Sequence, residues 1–154
     1  MPTPGKSPVI PAMRYEDAPS AIEWLCGVLG FSKRLVVPLE DGAIAHAQLV
    51  LGDGMIMLGS ARDDEYGQLV KTPGPNRGNT QSACLVVDDP HAVHERAVTA
   101  GAEIVVPLRN PEYGGVFFAC RDPEGYLWNI GSYDPWEEPS ATQDPAASSE
   151  CVAE

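Results

Sequence analysis

The chain has 154 residues and a formal net charge of −12, and hydrophobic residues make up 44% of it. This length suits one globular domain or two small fused modules, and the acidic balance repels phosphate backbones, so nucleic acid is not an expected partner. No apolar run approaches the roughly 18 residues that span a bilayer, and the first residues have no apolar signal core, so we expect no membrane association and a cytoplasmic location.

The first half of the chain predicts the element order β-α-β-β-β. A strand is followed by a helix that Asp17 caps, that carries Pro19 in its first turn and that ends at Gly30. Three strands follow, separated by the turn sequences Asp41-Gly42 and Asp53-Gly54. The predicted elements are a strand at 9–15, a helix at 17–29, and strands at 32–40, 43–52 and 55–60.

The second half repeats this order after a region, residues 61–80, that is rich in Gly and Pro and lacks periodicity. A constant offset in residue number takes Asp17 to Asp89, the predicted cap of the second helix, and one residue of slippage takes Gly30 to Gly101. The predicted elements are a strand at 82–88, a helix at 89–100, a strand at 103–108, a loop at 110–115, and a hairpin at 116–131.

These features resemble the vicinal oxygen chelate superfamily, which includes glyoxalase I, extradiol dioxygenases, fosfomycin-resistance enzymes and bleomycin-resistance proteins. The resemblance is carried by the turn Asp122-Pro123-Glu124-Gly125-Tyr126, by the helix that ends in Leu-Gly-Phe at Phe31, and by the two-fold element order, over about residues 9–136. It implies an α+β fold in which two tandem βαβββ modules form a curved mixed sheet around a shared cavity. It also implies homodimers, in some members with modules exchanged between chains.

The domain organisation follows from the repeat. We expect a disordered N-terminus at 1–7, a first βαβββ module at 8–60, a linker loop at 61–80 and a second βαβββ module at 81–136. Residues 137–154 are predicted to be an acidic disordered tail, because they carry five acidic residues, no Lys or Arg, and mostly small or polar side chains.

Metal-dependent members of the superfamily place two ligands in each module, on the first and last strands, and these ligands are typically His and Glu. The resemblance assigns those positions to Ile10, Met57, Ser82 and Asn129. Isoleucine has no lone pair, a thioether is a poor ligand for hard divalent ions, and a hydroxyl and an amide are weak neutral ligands. A catalytic metal site wants about three imidazole or carboxylate ligands, so we expect no metal ion and no other cofactor.

His46 is the candidate catalytic residue. It lies centrally in a predicted strand with alanines on both sides, and alternation places it on one face with Ile44, Gln48 and Val50. Because its strand is expected to pair with the Met57 strand, a cavity-facing His46 would serve as a general base or as a hydrogen-bond donor. The alternative is a structural histidine bonded to a neighbouring group.

The other histidines and the strand cysteines are assigned structural roles. His91 and His94 lie three residues apart on the second helix without a facing carboxylate, so a solvated helix face is expected. Cys84 and Cys120 fall within apolar strands and are expected to be small buried residues. No C-x-x-C pair occurs, which disfavours zinc-ribbon and thioredoxin-type sites.

The candidate ligand-binding residues combine apolar side chains with a few polar ones, as small-molecule sites usually do. The offset that takes Asp17 to Asp89 also takes His46 to Phe118, which is therefore the expected repeat-related cavity residue, whereas Trp128 is expected in the core. Trp24 interrupts the apolar stripe of the first helix and is expected to cover a crevice between modules. The full candidate set is His46, Met57, Phe118, Asn129, Tyr133, Trp24 and Ser82.

Two classes of function stay open. The first is a metal-independent protein of the bleomycin-resistance type that sequesters an apolar or aromatic small molecule; the acidic surface would also attract a cationic drug. The second is a glyoxalase-like lyase or isomerase, either metal-free with His46 as general base or with a divergent metal site. A partner-binding role for the acidic tail ranks last, because the tail lacks apolar anchors. A homodimer is expected, because hairpin sheets leave edges and a half-open cup.

Overall fold

The computed structural model describes residues 1–110 and 114–137, and the chain divides into two compact units. The first unit comprises Met1–Gly78 together with the turn Pro123–Gly125, and the second comprises the described residues within 79–122 and 126–137. The predicted disordered tail lies outside the described residues from position 138, as do residues 111–113 of the loop predicted at 110–115. No helix within the described ranges is long and apolar enough to cross a membrane.

Each module has the predicted element order, with one additional short helix between them. The first module contains β1 (Ala12–Tyr15), α1 (Ala18–Trp24), a π-helical turn (Leu25–Leu29), β2 (Ser32–Pro38), β3 (Ile44–Leu51) and β4 (Gly54–Ser60). The additional helix is α2 (Glu65–Leu69). The second module contains β5 (Ala83–Val86), α3 (Pro90–Thr99), β6 (Glu103–Arg109), β7 (Phe117–Arg121) and β8 (Leu127–Gly131).

The strands form two open four-stranded sheets with the same topology. The strand orders are β1-β4-β3-β2 and β5-β8-β7-β6. In both sheets the first and last strands of the module are parallel neighbours, and the other pairs are antiparallel. The predicted α+β class with two tandem βαβββ modules is therefore confirmed.

Both main helices begin at the aspartates that the sequence predicted. Asp17 accepts a hydrogen bond from the backbone N–H of Ser20 at 3.2 Å, and Asp89 accepts one from Ala92 at 3.1 Å. A proline occupies the first turn of each helix, where its missing N–H would have no intrahelical partner. Caps of this kind each stabilise a helix by about 1 kcal/mol.

The first helix widens before it ends. Leu25–Leu29 form a π-helical turn, and Gly30 follows at φ 88° and ψ 16°, a left-handed conformation that glycine adopts readily. From capping aspartate to terminal glycine this helix spans one residue more (Asp17 to Gly30) than the second (Asp89 to Gly101). Because a π-turn closes its hydrogen bonds around an additional residue, this segment absorbs the difference.

The parallel pairs of the two sheets have the same register. Ala12 lies opposite Met57 in the first sheet. Cys84 lies opposite Asn129 in the second, and both are reached from the first pair by the offset that relates the two capping aspartates. The architectural repeat inferred from the sequence therefore holds for the first and last strands of each module.

The antiparallel hairpins differ by one residue. Gln48 lies opposite Met57 in the first sheet. The constant offset would place Cys120 opposite Asn129 in the second sheet, but Ala119 occupies that position. The shift begins at the shorter second helix and ends at the longer β7–β8 turn.

The turns between the hairpin strands explain where the register is restored. β3 and β4 are joined by Gly52-Asp53, with Gly52 at φ 55°, and not by the predicted Asp53-Gly54, since Gly54 already belongs to β4. Arg121 pairs with Leu127 across the second hairpin, which leaves a turn of five residues. The extra length of this turn returns β8 to the offset of the parallel pairs.

The helices cover one face of each sheet. α1 contacts β1 and β4, and α3 contacts β6, β7 and β8. Trp128 is 1% exposed, which confirms its predicted place in the core. The largest fully buried side chains are Tyr15, Leu25, Leu29 and Leu49 in the first module and Phe118, Cys120, Trp128 and Ile130 in the second.

A buried carboxylate organises the β7–β8 turn. Asp122 accepts hydrogen bonds from the indole Nε1 of Trp128 at 3.1 Å and from the backbone N–H of Tyr126 at 3.0 Å. Burial, followed by the negative charge of Asp122, raises the pKa of Cys120 to about 12, so this thiol stays protonated at neutral pH. Cys120 is buried as predicted, but Cys84 is exposed, because the neighbouring Leu85 takes the core-facing position on β5.

Residues 61–80 are not a featureless linker. Asp64 caps α2 by accepting a hydrogen bond from the backbone N–H of Gly67 at 2.7 Å. This bond is the main cause that lowers the pKa of Asp64 from its ordinary 3.8, and the charges of Arg14 and Arg62 lower it further against the opposing effect of burial. The five-residue length of α2 leaves no helical periodicity for the sequence to reveal.

We predict opposite effects of alanine at two glycines near the end of the first helix. Gly30→Ala should cost about 1 kcal/mol of unfolding free energy, because a side chain is strained at positive φ. Gly27→Ala should stabilise by about 0.5 kcal/mol, since Gly27 is helical and a Cβ there would meet nothing within 4 Å. Urea unfolding of both variants measures this, and equal effects would contradict the assigned backbone conformations.

We also predict that Asp64 links stability to acid pH. A carboxylate whose pKa is lowered by folding stabilises the fold above its unfolded pKa, and this stabilisation is lost as the pH falls through its folded pKa. The melting temperature should therefore fall below about pH 3.8, and Asp64→Asn should remove part of this decline. The neighbouring Asp63→Asn is the matched control and should retain the decline of the melting temperature that Asp64 causes. Identical pH profiles of wild type and Asp64→Asn would contradict the prediction.

Candidate functional site

His46 lies on the face of the first sheet that points away from the core. In the central part of β3 the buried Ala47 and Leu49 alternate with the half-buried His46 and Gln48. Ile44, which was predicted to share the His46 face, is buried, and a register shift in the pairing of β3 with β2 lies between it and His46. Cross-strand pairing places Gln48 opposite Met57. The first sheet thus brings the candidates His46 and Met57 to one partly exposed face, and their binding role stays a prediction.

The side chain of Gln48 holds the imidazole of His46. The amide Nε2 of Gln48 donates to His46 Nε2 at 3.2 Å, so the neutral imidazole carries its own proton on Nδ1. Within the described part of the chain, the Nδ1 atom of His46 has no hydrogen-bond partner. The imidazole is therefore oriented through Nε2 and keeps its Nδ1–H as a hydrogen-bond donor for a ligand, so both the structural and the functional interpretation of His46 stay open.

The four positions to which the resemblance assigns metal ligands carry side chains whose donors do not suit a metal site. Ile10 precedes β1 and has no lone pair, and Met57 offers a thioether. Asn129 donates from Nδ2 to Ser82 Oγ at 3.0 Å and to the carbonyl of Ala83 at 3.3 Å, so the two polar side chains are bonded to each other. In residues 1–110 and 114–137, no group of three His, Cys, Asp or Glu side chains could hold a metal ion.

The prediction that Phe118 lines a cavity is wrong. Its side chain has no exposed surface, and its ring packs edge-on against His94 with centroids 5.0 Å apart and planes at 85°. The one-residue shift of β7 makes Phe117, not Phe118, the counterpart of His46, and successive residues of a strand face opposite sides. The same contact corrects His94, which is half-buried against the core and not part of a solvated helix face.

The remaining two candidates, Trp24 and Tyr133, are both half-buried. Trp24 is the last residue of α1, and Tyr133 follows β8. Neither placement tests a binding role, and both stay predictions.

A cleft that the sequence did not reveal lies in the first unit beside α2. It has a volume of about 420 Å³ and opens where β1 and β4 end, at Tyr15 and Ser60. Its lining is mostly polar and consists of Arg14, Glu16, Ala61, Arg62, Asp63, Gly67, Gln68, Val70, Lys71 and Thr72. The signals available in the sequence were an arginine inside an otherwise apolar strand and the acidic run at 63–65.

Arg14 connects the sheet to this cleft. Its side chain is only 10% exposed, and its Nη1 donates to the carbonyl of Ser60 at 2.9 Å. Its Nη2 lies 3.6 Å from Asp64 Oδ2, and its guanidinium lies 5.1 Å from the centroid of the Tyr66 ring. A buried guanidinium needs such compensation for lost hydration, so Arg14 fixes α2 against the end of the sheet.

The backbone on the other side of the cleft is fixed by Glu124. Its carboxylate accepts hydrogen bonds from the backbone N–H groups of Glu16 at 2.6 Å and Asp17 at 2.9 Å, within the first unit. In the same turn Gly125 has φ 94°, and a Cβ there would lie 3.2 Å from the Arg77 side chain. The Asp-Pro-Glu-Gly turn therefore has a structural role beside the cleft.

Two sets of known proteins resemble this chain. An uncharacterised protein of Mycobacterium bovis is 30% identical over 121 residues, which are 79% of this chain and 80% of that protein. An uncharacterised protein of Mycobacterium tuberculosis H37Rv matches equally over 71% of its length. Among solved structures, TioX from Micromonospora sp. ML1 is 28% identical, with a TM-score of 0.63 over 83% of this chain and 99% of TioX.

A more distant likeness supports the fold alone. The fosfomycin resistance protein FosX from Mesorhizobium loti is 11% identical, with a TM-score of 0.59 over 84% of this chain and 93% of FosX. The family model described as the Glyoxalase/Bleomycin resistance protein/Dioxygenase superfamily matches residues 10–130, most of the chain. With its two βαβββ modules, the chain belongs to this superfamily, the vicinal oxygen chelate superfamily.

Proposed function

We propose that this protein binds and sequesters a small molecule without the help of a metal ion. The donor chemistry at the four superfamily ligand positions carries the proposal. Ile10 and Met57 are not ligands for hard divalent ions, and Asn129 and Ser82 are engaged with each other at 3.0 Å. Recruiting the amide and the hydroxyl to a metal would break this bond in return for two weak neutral ligands.

The half-buried face around His46 supports an apolar or aromatic ligand. Leu35 and Val37 of β2 lie opposite Gln48 and His46, and their side chains are 43% and 41% exposed. Met57, on the same face, is flexible and polarisable and adapts to irregular apolar shapes. An apolar surface with His46 and Gln48 as its polar groups has the composition usual for small-molecule sites.

A second candidate function is a metal-free lyase or isomerase with His46 as the general base. The observation in its favour is the half-buried imidazole of His46, whose side-chain partner among the described residues is the amide of Gln48. The basic lone pair of the neutral ring lies on Nε2, so a substrate that displaces this amide would transfer a proton from carbon or hydroxyl to Nε2. Turnover of an identified ligand, abolished by His46→Ala with binding retained, would favour this function over sequestration.

A thermal-shift screen is the first experiment for both functions. Fosfomycin is one sensible probe, because a structural relative is named a fosfomycin resistance protein, and apolar, aromatic and cationic antibiotics form the other arms. Each compound is tested with and without added divalent metal. Stabilisation that requires the metal would overturn the metal-independent proposal.

We predict that the purified protein holds no stoichiometric Zn, Ni, Mn or Fe after dialysis. The reason is the absence of imidazole and carboxylate side chains at Ile10, Met57, Ser82 and Asn129. Elemental analysis measures the metal content. One equivalent of metal in the wild type would contradict the prediction.

His46→Ala should weaken ligand binding and leave the melting temperature almost unchanged. His46 is half-buried and bonded to a neighbouring side chain on the same face, so its loss leaves no core group unpaired. If His46 were structural, the change would cost roughly 1–3 kcal/mol of stability.

The matched control for this prediction is His94→Ala. His94 packs against the buried ring of Phe118, so its removal should lower the melting temperature and leave the affinity for a screening hit unaltered. Melting is measured first, and affinity afterwards by calorimetry. A large loss of melting temperature with unaltered affinity in His46→Ala would show that His46 is structural.

The protein is also proposed to form a homodimer. β2 is an edge strand of the first sheet, and proteins usually cover the unpaired backbone groups of such an edge. Light scattering at micromolar concentration should report twice the mass of one chain. A monomer would contradict this prediction and leave the ligand-binding proposal unaffected.

A further inference from the structure

The cleft beside α2 holds hydrogen-bond donors that the protein does not saturate. Its lining contains three cationic side chains, Arg14, Arg62 and Lys71, and two carboxylates, Glu16 and Asp63. Arg14 is nearly buried and is held by Ser60 and Asp64. The donors available to a ligand must therefore come from the two more exposed cations.

Among the described residues, Arg62 makes only long contacts. Its Nη2 lies 3.4 Å from the carbonyl oxygen of Ala45, and its Nε lies 3.6 Å from Asp64 Oδ2. Both distances exceed the roughly 2.7–3.2 Å of a normal N–H···O bond, and a guanidinium has five N–H donors. With a side chain 35% exposed in the cleft wall, Arg62 has the capacity to bind an acceptor there.

The ammonium of Lys71 is oriented by a backbone hydrogen bond, and its charge is not balanced by an ion pair in the described ranges. It donates to the carbonyl of Gly67 at 2.8 Å, and in the described ranges no carboxylate forms an ion pair with it. An ammonium has three donors, so two stay available. The backbone bond directs this charge to the same cleft as Arg62.

The two carboxylates that line the cleft have their own neighbours. Asp63 accepts from the side-chain amide of Gln68, whereas Glu16 makes only a long contact, 3.4 Å, with the hydroxyl of Thr72 among the described residues. Asp64 caps α2 and lies between the two arginines. Among the described residues neither Arg62 nor Lys71 forms an ion pair with Glu16 or Asp63, which favours a ligand that brings its own acceptor oxygens to the two cations.

We propose that this cleft is a second ligand site, for a small molecule that carries a carboxylate or phosphate group. Arg62 and Lys71 bind the anionic group, and Arg14 is a positioning residue that holds α2 in place. A volume of about 420 Å³ falls in the range of small-molecule pockets. The acidic net charge of the chain does not oppose this, because charges beyond about 8 Å are largely screened at physiological salt.

Titration of the full chain with inorganic phosphate and with citrate, at constant ionic strength, tests the site. The readout is the NMR resonance of the Arg62 Nε–H, and glycerol is the neutral control. A saturable shift with phosphate or citrate but not with glycerol supports the proposal. Response to one anion only assigns its chemistry as the ligand group.

Two double variants separate the site from general electrostatics. Arg62→Gln with Lys71→Gln removes the ligand-facing cations, and Lys33→Gln with Arg34→Gln removes the same charge from exposed positions of β2. Affinity for the responding anion should fall at least about tenfold in the first and stay near the wild-type value in the second. If the first double variant does not fold, Lys71→Gln alone is used. Equal losses in both variants, or no response of Arg62 to either anion, would overturn the proposal.

Discussion

The parallel pairing of the first and last strands is the constraint on which each module depends. A parallel neighbour cannot be reached by a tight turn, so the chain must cross over through a helix before it returns. In this protein the returning strands have equivalent registers, with Ala12 opposite Met57 and Cys84 opposite Asn129. The same pairing sets the carboxyl ends of β1 and β4 side by side, and the cleft opens at that edge.

Arg14 connects the paired ends of β1 and β4 to α2 through polar contacts. It is a charged residue on an apolar strand, and its guanidinium is satisfied by the Ser60 carbonyl, the Asp64 carboxylate and the Tyr66 ring. Removing one partner of a buried charge costs more than a surface ion pair contributes, so the helix after β4 is held where Arg14 requires it. Asp64 contacts both Arg14 and Arg62 and also caps α2. It therefore couples the short helix to the charges in the cleft.

The register of the antiparallel hairpin differs by one residue between the two modules, and this difference changes which side chains face the core. The π-turn adds a residue to the first helix and the β7–β8 turn adds one to the second hairpin, so β6 and β7 are displaced while β8 is not. Because side chains alternate between the faces of a strand, this displacement places the side chain of Phe118 in the core and makes Phe117 the counterpart of His46. Superfamily membership therefore does not transfer residue roles at a constant offset along this chain.

The sequence by itself determined the order of elements within each module, the capping aspartates, the terminal glycines and the superfamily, because a cap, a positive φ and a proline act within a few residues. It also determined the weak ligand chemistry of Ile10, Met57, Ser82 and Asn129, since donor strength belongs to the side chain itself. Only the tertiary structure decided that Asn129 bonds Ser82, that Phe118 is core, that Gln48 holds His46, and that a cleft lies beside α2. Each of these depends on strand register or on contacts between residues far apart in the chain, where a displacement of one residue changes the face on which a side chain lies.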